Sequence, residues 1–339
     1  MIKKISIAVL IVLFLAATAF AGGDRRKGTA GAQELRIPLG SRGAALGGSF
    51  IAEVTGVESI YWNPAGLSSV RNVEALFSYL DYIADMKYIF SGVGVSIPNI
   101  GTIGVSGRIL NIGDIIVTTE DAPEGTGEIL TPTFVTLGVT YSKQMTDRVF
   151  FGTTINFITE QIDRETARGI CMDFGFQYVP GIVRGLKIGV AVKNIGPNMR
   201  FSGQDLEHFA PVVGTPEGSE RKLLRTYLAS FELPSYFQIG TSLDLINNET
   251  MRATVTASFK NNNFIEDEYN GGIEFMYKDM LFLRGGYVTS QQADYLYGAT
   301  FGAGLKLNMG TSSLYFDYSW GQTSQFFNNT QWFSVIYAF

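Results

Sequence analysis

The chain has 339 residues, 46% of them hydrophobic and only 17% charged, with 39 Gly, 25 Phe and 16 Tyr. A net charge of -5 offers no basis for binding nucleic acid. The single Cys171 excludes an intramolecular disulfide framework, and one Cys with one His leaves no ligand spacing for a metal.

The chain opens with Lys3 and Lys4, an apolar run from Ile5 to Leu15, and Ala19-Phe20-Ala21. A charged start, a short apolar stretch and a small-x-small end form a secretory signal peptide over residues 1–21, with cleavage before Gly22. The apolar run is short for a bilayer span, and no later stretch is long and apolar enough for a membrane helix.

Residues 22–72 lack strand periodicity. Within them Ser41 to Glu53 predicts a short helix with a small-residue face from Gly43, Ala44, Gly47 and Gly48. The stretch ends in Tyr61-Trp62-Asn63-Pro64-Ala65-Gly66-Leu67. Asn63 before Pro64 favours a change from extended chain to turn, and Ala65-Gly66 permits close packing. Trp62, Asn63, Pro64 and Gly66 are thus expected either to anchor a plug or to form a gate or ligand contact. No Gly-Lys-Ser/Thr follows the glycines, so a phosphate-binding loop is a poor reading of them.

Fourteen strands are predicted from there, starting near Val73, Met86, Thr102, Thr133, Val149, Gly169, Leu186, Ser235, Met251, Tyr269, Met280, Tyr297, Ser313 and Thr330. Each is about ten residues long, the length of a tilted membrane strand. From Val149, residues Val149, Phe151, Ile155 and Phe157 share one face, and Gly152, Thr154, Asn156 and Glu160 the other. From Tyr297, the set Tyr297, Ala299, Phe301, Ala303 and Leu305 faces outward. Alternation alone is equally a property of a soluble half-buried sheet.

Connection lengths separate the two. Tight turns at 98–101, 145–148, 180–185, 247–250, 278–279 and 308–312 alternate with longer links at 113–132, 162–168, 195–234, 261–268, 290–296 and 322–329. Short turns at one end, long loops at the other and an even strand count define a transmembrane barrel. The fold class expected is therefore all-β, a 14-stranded antiparallel transmembrane β-barrel over residues 73–339. Glycines on the inner face, among them Gly92, Gly104, Gly152, Gly189, Gly298 and Gly304, cannot fill a lumen. The expected occupant is residues 22–72, as an N-terminal plug.

In the link 195–234, Leu223, Leu224, Tyr227 and Leu228 fall at helical spacing beside Glu220, Arg221, Lys222 and Arg225. This predicts an amphipathic helix that either packs on the rim or offers a ligand or partner contact. The chain ends in Phe333, Val335, Tyr337 and Phe339 at alternate positions. A terminal aromatic, Phe339, suits recognition by barrel-insertion machinery, and the outer face requires membrane lipid as its partner.

Enzyme constellations are lacking. His208 stands alone in the long link with no G-x-S-x-G box, so no catalytic residue and no cofactor is expected. The inner-face charges Arg108, Asp173, Lys193, Asp244, Arg252, Glu274, Arg284, Lys306 and Asp317 mix both signs, which suits ion pairs and plug contacts better than a selectivity ring.

The segment GTAGAQELRIPLGSRGAALGGSFIAEVTGVESIYWNPAGL resembles the N-terminal part of the PorV/PorQ family, relatives of the FadL fatty-acid channel. The family pattern is a Gly-Ala-Gln start, an Arg-x-x-x-x-Gly-Gly stretch and a Trp-Asn-Pro-Ala-Gly-Leu box. Thr55-Gly56-Val57-Glu58 departs from it where paired aspartates are frequent. The resemblance covers about 40 residues and implies an outer-membrane barrel of one of two kinds. The first is a secretion-associated, type IX-like component whose partners are exported proteins or secretion-system subunits. The alternative is a FadL-like channel for hydrophobic small molecules such as long-chain fatty acids.

Overall fold

The computed structural model describes residues 28–210, 221–292, 295–324 and 326–339. The expected signal peptide lies outside them. Fourteen antiparallel strands form one closed wall. They are β1 Val73–Asp81, β2 Lys87–Ile97, β3 Gly101–Asn111, β4 Thr133–Thr146, β5 Val149–Ile162, β6 Glu165–Tyr178 and β7 Lys187–Ile195. The second half comprises β8 Tyr236–Asn247, β9 Met251–Asn262, β10 Glu268–Tyr277, β11 Leu281–Ser290, β12 Tyr297–Met309, β13 Ser312–Thr323 and β14 Thr330–Ala338. Each strand pairs with its sequence neighbour, and β1 closes on β14 from Glu74↔Ala338 to Asp81↔Gln331. Closure leaves no free edge to lipid.

Alternation explains each strand. In β3, Thr102, Gly104, Ser106, Arg108 and Leu110 turn inward while Ile103, Val105 and Ile109 are exposed on the outside. Phe77, Leu137, Phe157, Leu283, Phe301 and Phe333 continue the outer apolar band. An exposed band of this kind is stable only against lipid.

Two local expectations are corrected. The link at 162–168 shrinks to Asp163 and Arg164, because β6 starts at Glu165 rather than Gly169 and pairs with β5 along its whole length. Tyr297 turns into the barrel, because a register shift between Tyr297 and Thr300 opposes the start of β12 to β13 with one residue extra. A bulge of this kind re-aims the side chains on one side of it.

Residues 30–72 fill the lumen. They contain a short 3-10 turn Gln33–Arg36, helices α1 Ser41–Ala45 and α2 Ser59–Trp62, and a 3-10 helix Pro64–Ser69. The helix expected over Ser41 to Glu53 stops after five residues, since Gly47 and Gly48 take positive φ (61° and 72°) and turn the chain along the wall. The main core lies between plug and barrel, where Leu39, Leu46, Val57, Ile60 and Leu67 meet Leu76, Leu80, Phe90 and Trp332.

The inner-face glycines of the wall give the plug backbone room. A side chain at Gly152 or Gly175 would overlap Asn63–Ala65, one at Gly189 would strike Ile51 and Ala52, and one at Gly286 would strike Leu46 and Gly47. Two of the expected positions serve otherwise: Gly298 lies beside Gln322, and Gly304 beside Asp317 and Arg284.

Candidate functional site: a cavity above the plug

The Trp-Asn-Pro-Ala-Gly-Leu box locks the plug chain to itself and to the wall. Pro64 opens the 3-10 helix, and the Asn63 carboxamide caps it by accepting from Ala65 N–H (3.2 Å). The Asn63 NH2 donates to the carbonyls of Ile51 (2.9 Å) in the plug and Phe176 (3.1 Å) in β6. Gly66 accepts from Gly56 N–H (3.1 Å) and packs on the Val54 carbonyl too closely for a side chain. Trp62 donates to the Leu39 carbonyl (2.8 Å), and the Tyr61 hydroxyl to that of Ile37 (2.8 Å). Burial pushes the Tyr61 phenol well above its ordinary range, so it remains a neutral donor.

Ionic contacts fix the plug elsewhere. Arg42 makes a bidentate pair with Glu274 of β10, both contacts at 2.9 Å, and Glu274 also accepts from Arg284 (2.7 Å), which in turn reaches Asp317. Glu53 sits between Lys187 (2.9 Å) and Arg252 (2.5 Å). Lys193, fully buried, donates to the Tyr61 carbonyl and lies 3.4 Å from Asp173. The inner charges thus form pairs and plug contacts; Lys306 instead pairs with Asp279 in a turn.

Above the box, toward the long loops, lies a cavity of about 650 Å³. Tyr61, Trp62 and Trp332 are among its lining residues. One side is mostly apolar, from Ile37, Met86, Leu110, Ile112, Phe134 and Ile162, with Glu34 and Glu160 among them; the other carries Tyr236, Gln238, Lys260, Glu268, Asn270 and Tyr295. On that polar side Glu268 joins Arg36 (3.1 Å) to Lys260 (3.2 Å), a cluster with one net positive charge. Tyr82 and Tyr297 share a hydroxyl contact of 2.5 Å at the rim. The volume is that of a small-molecule site, and its lining is amphipathic.

The structure brings Trp62, Asn63, Pro64 and Gly66 together, but only Trp62 lines the cavity. The loop residues stand elsewhere. Lys222–Arg225 is a strand paired with Glu207–Ala210, setting Phe209 against Leu223 and His208 against Leu224. The expected helix is thus overturned around Leu223 and Leu224: in four residues, pairing with a neighbouring segment outweighs a helical apolar pattern that has no face to bury. Leu223, Leu224 and Tyr227 are exposed, Leu228 is half-buried, and Tyr227 lies under the Arg200 guanidinium (4.0 Å). Glu220, part of the same expectation, lies outside the described residues. Phe339 packs edge-on against Tyr337 (4.4 Å between rings) and donates its N–H to the Val73 carbonyl (2.9 Å).

Sequence reasoning missed most of the cavity. Its lining is drawn from the plug and from β3, β4, β5, β8, β9, β10, β11, β12 and β14, with Tyr82 and Met86 from the link before β2, so no local motif marks it. The only cue is the aromatic cluster Tyr295-x-Tyr297 at the head of β12.

Among solved structures the fold is similar to that of the CymD monoaromatic hydrocarbon channel, with TM-score 0.56, 10% identity, and coverage of 89% of this chain and 98% of that one. The Pseudomonas putida toluene transporter TodX gives TM-score 0.55 and 12% identity over 87% and 96% of the two chains. A Pseudomonas aeruginosa FadL homologue gives 0.55 and 12% over 89% and 98%. No protein-family model and no curated protein matches the sequence. The architecture is thus that of FadL-type outer-membrane barrels, and the neighbours bear the names of channels and transporters rather than enzymes.

Proposed function

We propose that the protein is an outer-membrane channel that admits hydrophobic small molecules from its loop end into the cavity above Trp62, with residues 30–72 as the gate beneath. The observation that carries this reading is the amphipathic cavity of about 650 Å³ lined by Tyr61, Trp62 and Trp332. Its apolar side suits a hydrocarbon body, and the Arg36–Glu268–Lys260 cluster suits one polar end. The neighbours' names, hydrocarbon channel and toluene transporter, agree in class. Export by the signal peptide at residues 1–21 and insertion through Phe339 complete the proposal, with lipid around the outer band.

The test is binding and uptake of an aromatic hydrocarbon and a long-chain fatty acid, read by quenching of Trp62 and Trp332 fluorescence and by flux into vesicles. Ile112→Trp, which fills the apolar side, should abolish both without altering the barrel. Unchanged uptake in that variant removes the cavity from the route.

A second reading rests on the N-terminal box and on the exposed Phe209, Leu223 and Tyr227 of the loop hairpin. In it the barrel is of the PorV/PorQ type and presents that hairpin to exported proteins or secretion-system subunits. Co-purification of such partners, lost in a hairpin variant, is its test.

A further inference from the structure

Ala30 to Pro38 form the part of the plug nearest the loops, and two buried carboxyl groups meet there. Glu34, in the turn Gln33–Arg36, is 4% exposed, and Glu160, on the inner face of β5, is 3% exposed. Among the described residues no donor reaches either carboxyl oxygen of Glu34 or Oε1 of Glu160. Glu34 and Glu160 border the same cavity, and Glu160 is the charged neighbour that acts most strongly on the Glu34 carboxyl. Two neighbouring carboxylates whose oxygens are this deeply buried repel strongly, and one proton held by the pair relieves that repulsion.

The charges packed around the pair fit one negative charge on it. From β3 comes Arg108, whose guanidinium donates to Asn156 (2.7 Å) and lies over the Tyr61 ring (5.8 Å). From β6 and β7 come Asp173 and Lys193, 3.4 Å apart, with the Cys171 thiol buried beside Leu35. From β2 the Tyr88 hydroxyl donates to the Glu34 carbonyl (3.3 Å). Arg36, on the same turn, is held by Glu268. On the loop side the Glu232 carbonyl accepts from Gly31 N–H (3.1 Å), and Glu165 accepts from Asp205 N–H (3.0 Å). Arg108 and Lys193 therefore balance Asp173 and a singly ionised pair, while Arg36, the cation on the same turn, is engaged by Glu268.

We propose that Glu34 and Glu160 share one proton and act as a latch that holds residues 30–38 against the wall, and that loss of this proton releases them. Burial and the neighbouring Glu160 push the Glu34 carboxyl up to about 8, which supports this assignment. A carboxyl raised by folding stabilises the closed arrangement below its unfolded value, and that contribution is lost as pH climbs through the folded one. The latch is therefore closed at neutral and acid pH and opens in alkali. The released segment supplies Ala32, Gln33, Glu34 and Ile37 to the cavity, so opening widens it. That last consequence rests on the cavity being the ligand site; the latch does not.

The experiment places a nitroxide at position 33 (Gln33→Cys with Cys171→Ser) in the full mature chain and follows its mobility by EPR from pH 6 to 10. The expected spectrum is immobilised at pH 6 and mobile at pH 10. Glu34→Gln, whose amide donates to the Glu160 carboxylate without a titrating proton, should stay immobilised throughout. A spectrum that does not change with pH, or a Glu34→Gln variant that follows the same curve, overturns the latch. Uptake of a hydrophobic probe in the same samples separates the two claims: a moving label without uptake removes the channel and keeps the latch, and uptake with a static label does the reverse.

Discussion

The plug meets the barrel in two chemically different ways on its two sides. Toward β1, β2, β3 and β14 the contact is apolar, with Leu39, Leu46, Val57, Ile60, Leu67 and Val70 against Leu76, Leu80, Tyr88, Phe90, Leu110 and Trp332. Toward β7 to β11 it is ionic, with Arg36, Arg42 and Glu53 paired to Glu268, Glu274, Lys187 and Arg252. The apolar side is also the tethered one, since Val70 leads through Asn72 directly into β1. Apolar contact tolerates small sliding, whereas an ion pair needs its geometry, and once broken both partners can be hydrated. The difference teaches where such a plug can move: it hinges on the apolar, tethered side and parts from the ionic one.

The largest effect is expected where backbone meets backbone. Gly152→Leu with Gly175→Leu places two side chains in space held by Pro64–Ala65 backbone and by the Asn63 carboxamide, which its bonds to Ile51 and Phe176 hold in place. Overpacking costs typically about 1–3 kcal/mol per site and more where nothing can yield. The plug should fail to seat, seen as raised conductance in planar bilayers with the barrel still heat-modifiable on gels. Wild-type conductance in the double variant means that the box can dock without these glycines.

The hinge comes next. Leu67 is fully buried against Gly94 and Gly104, and Leu67→Ala should destabilise the plug by about 2–5 kcal/mol, read by hydrogen exchange of plug amides. On the ionic side Arg42→Ala should cost less, about 1.5–3 kcal/mol, because Glu274 keeps its bond from Arg284. If Arg42→Ala frees the plug more than Leu67→Ala does, the hinge is on the wrong side. Glu58, buried beside Gly40 and Gly43, adds a pH test: burial raises its carboxyl to about 7 against the opposing effect of Arg42. Plug protection should therefore fall as pH rises through neutrality, and Glu58→Gln should flatten that fall.

The two sides were unequally legible in the sequence. Strand starts and face alternation were readable because a wall apolar on one side imposes period two on every strand, and thirteen of the fourteen expected starts lie within one residue of those seen. The inner glycines pointed to an occupant because strand glycine has few other uses. The pairs Arg42–Glu274 and Arg36–Glu268 were not readable: each joins residues 232 apart, and only closure of the barrel sets them together. The same holds for Glu34 and Glu160. Tyr297 was misassigned because a bulge breaks the period at the position where it matters, and Leu223 because four residues fit both periods.

The smallest structural effect, and the sharpest functional one, is expected at the loop hairpin, which touches neither side of the plug. Phe209 and Leu223 face each other in register, both exposed, on a two-stranded unit with nothing described against it. Leu223→Asp with Tyr227→Ala should change barrel stability by less than about 0.5 kcal/mol, as exposed loop positions generally do. The lever-like plug gives no reason for hydrophobic uptake to change either, because none of the described hairpin residues 207–210 and 221–227 lines the cavity. Loss of co-purifying exported proteins with uptake intact would move the weight from channel to secretion component. Loss of uptake in the hairpin variant would instead place the ligand's first contact outside the cavity, and the entry route would then run over the hairpin before it reaches the rim at Tyr82 and Tyr297.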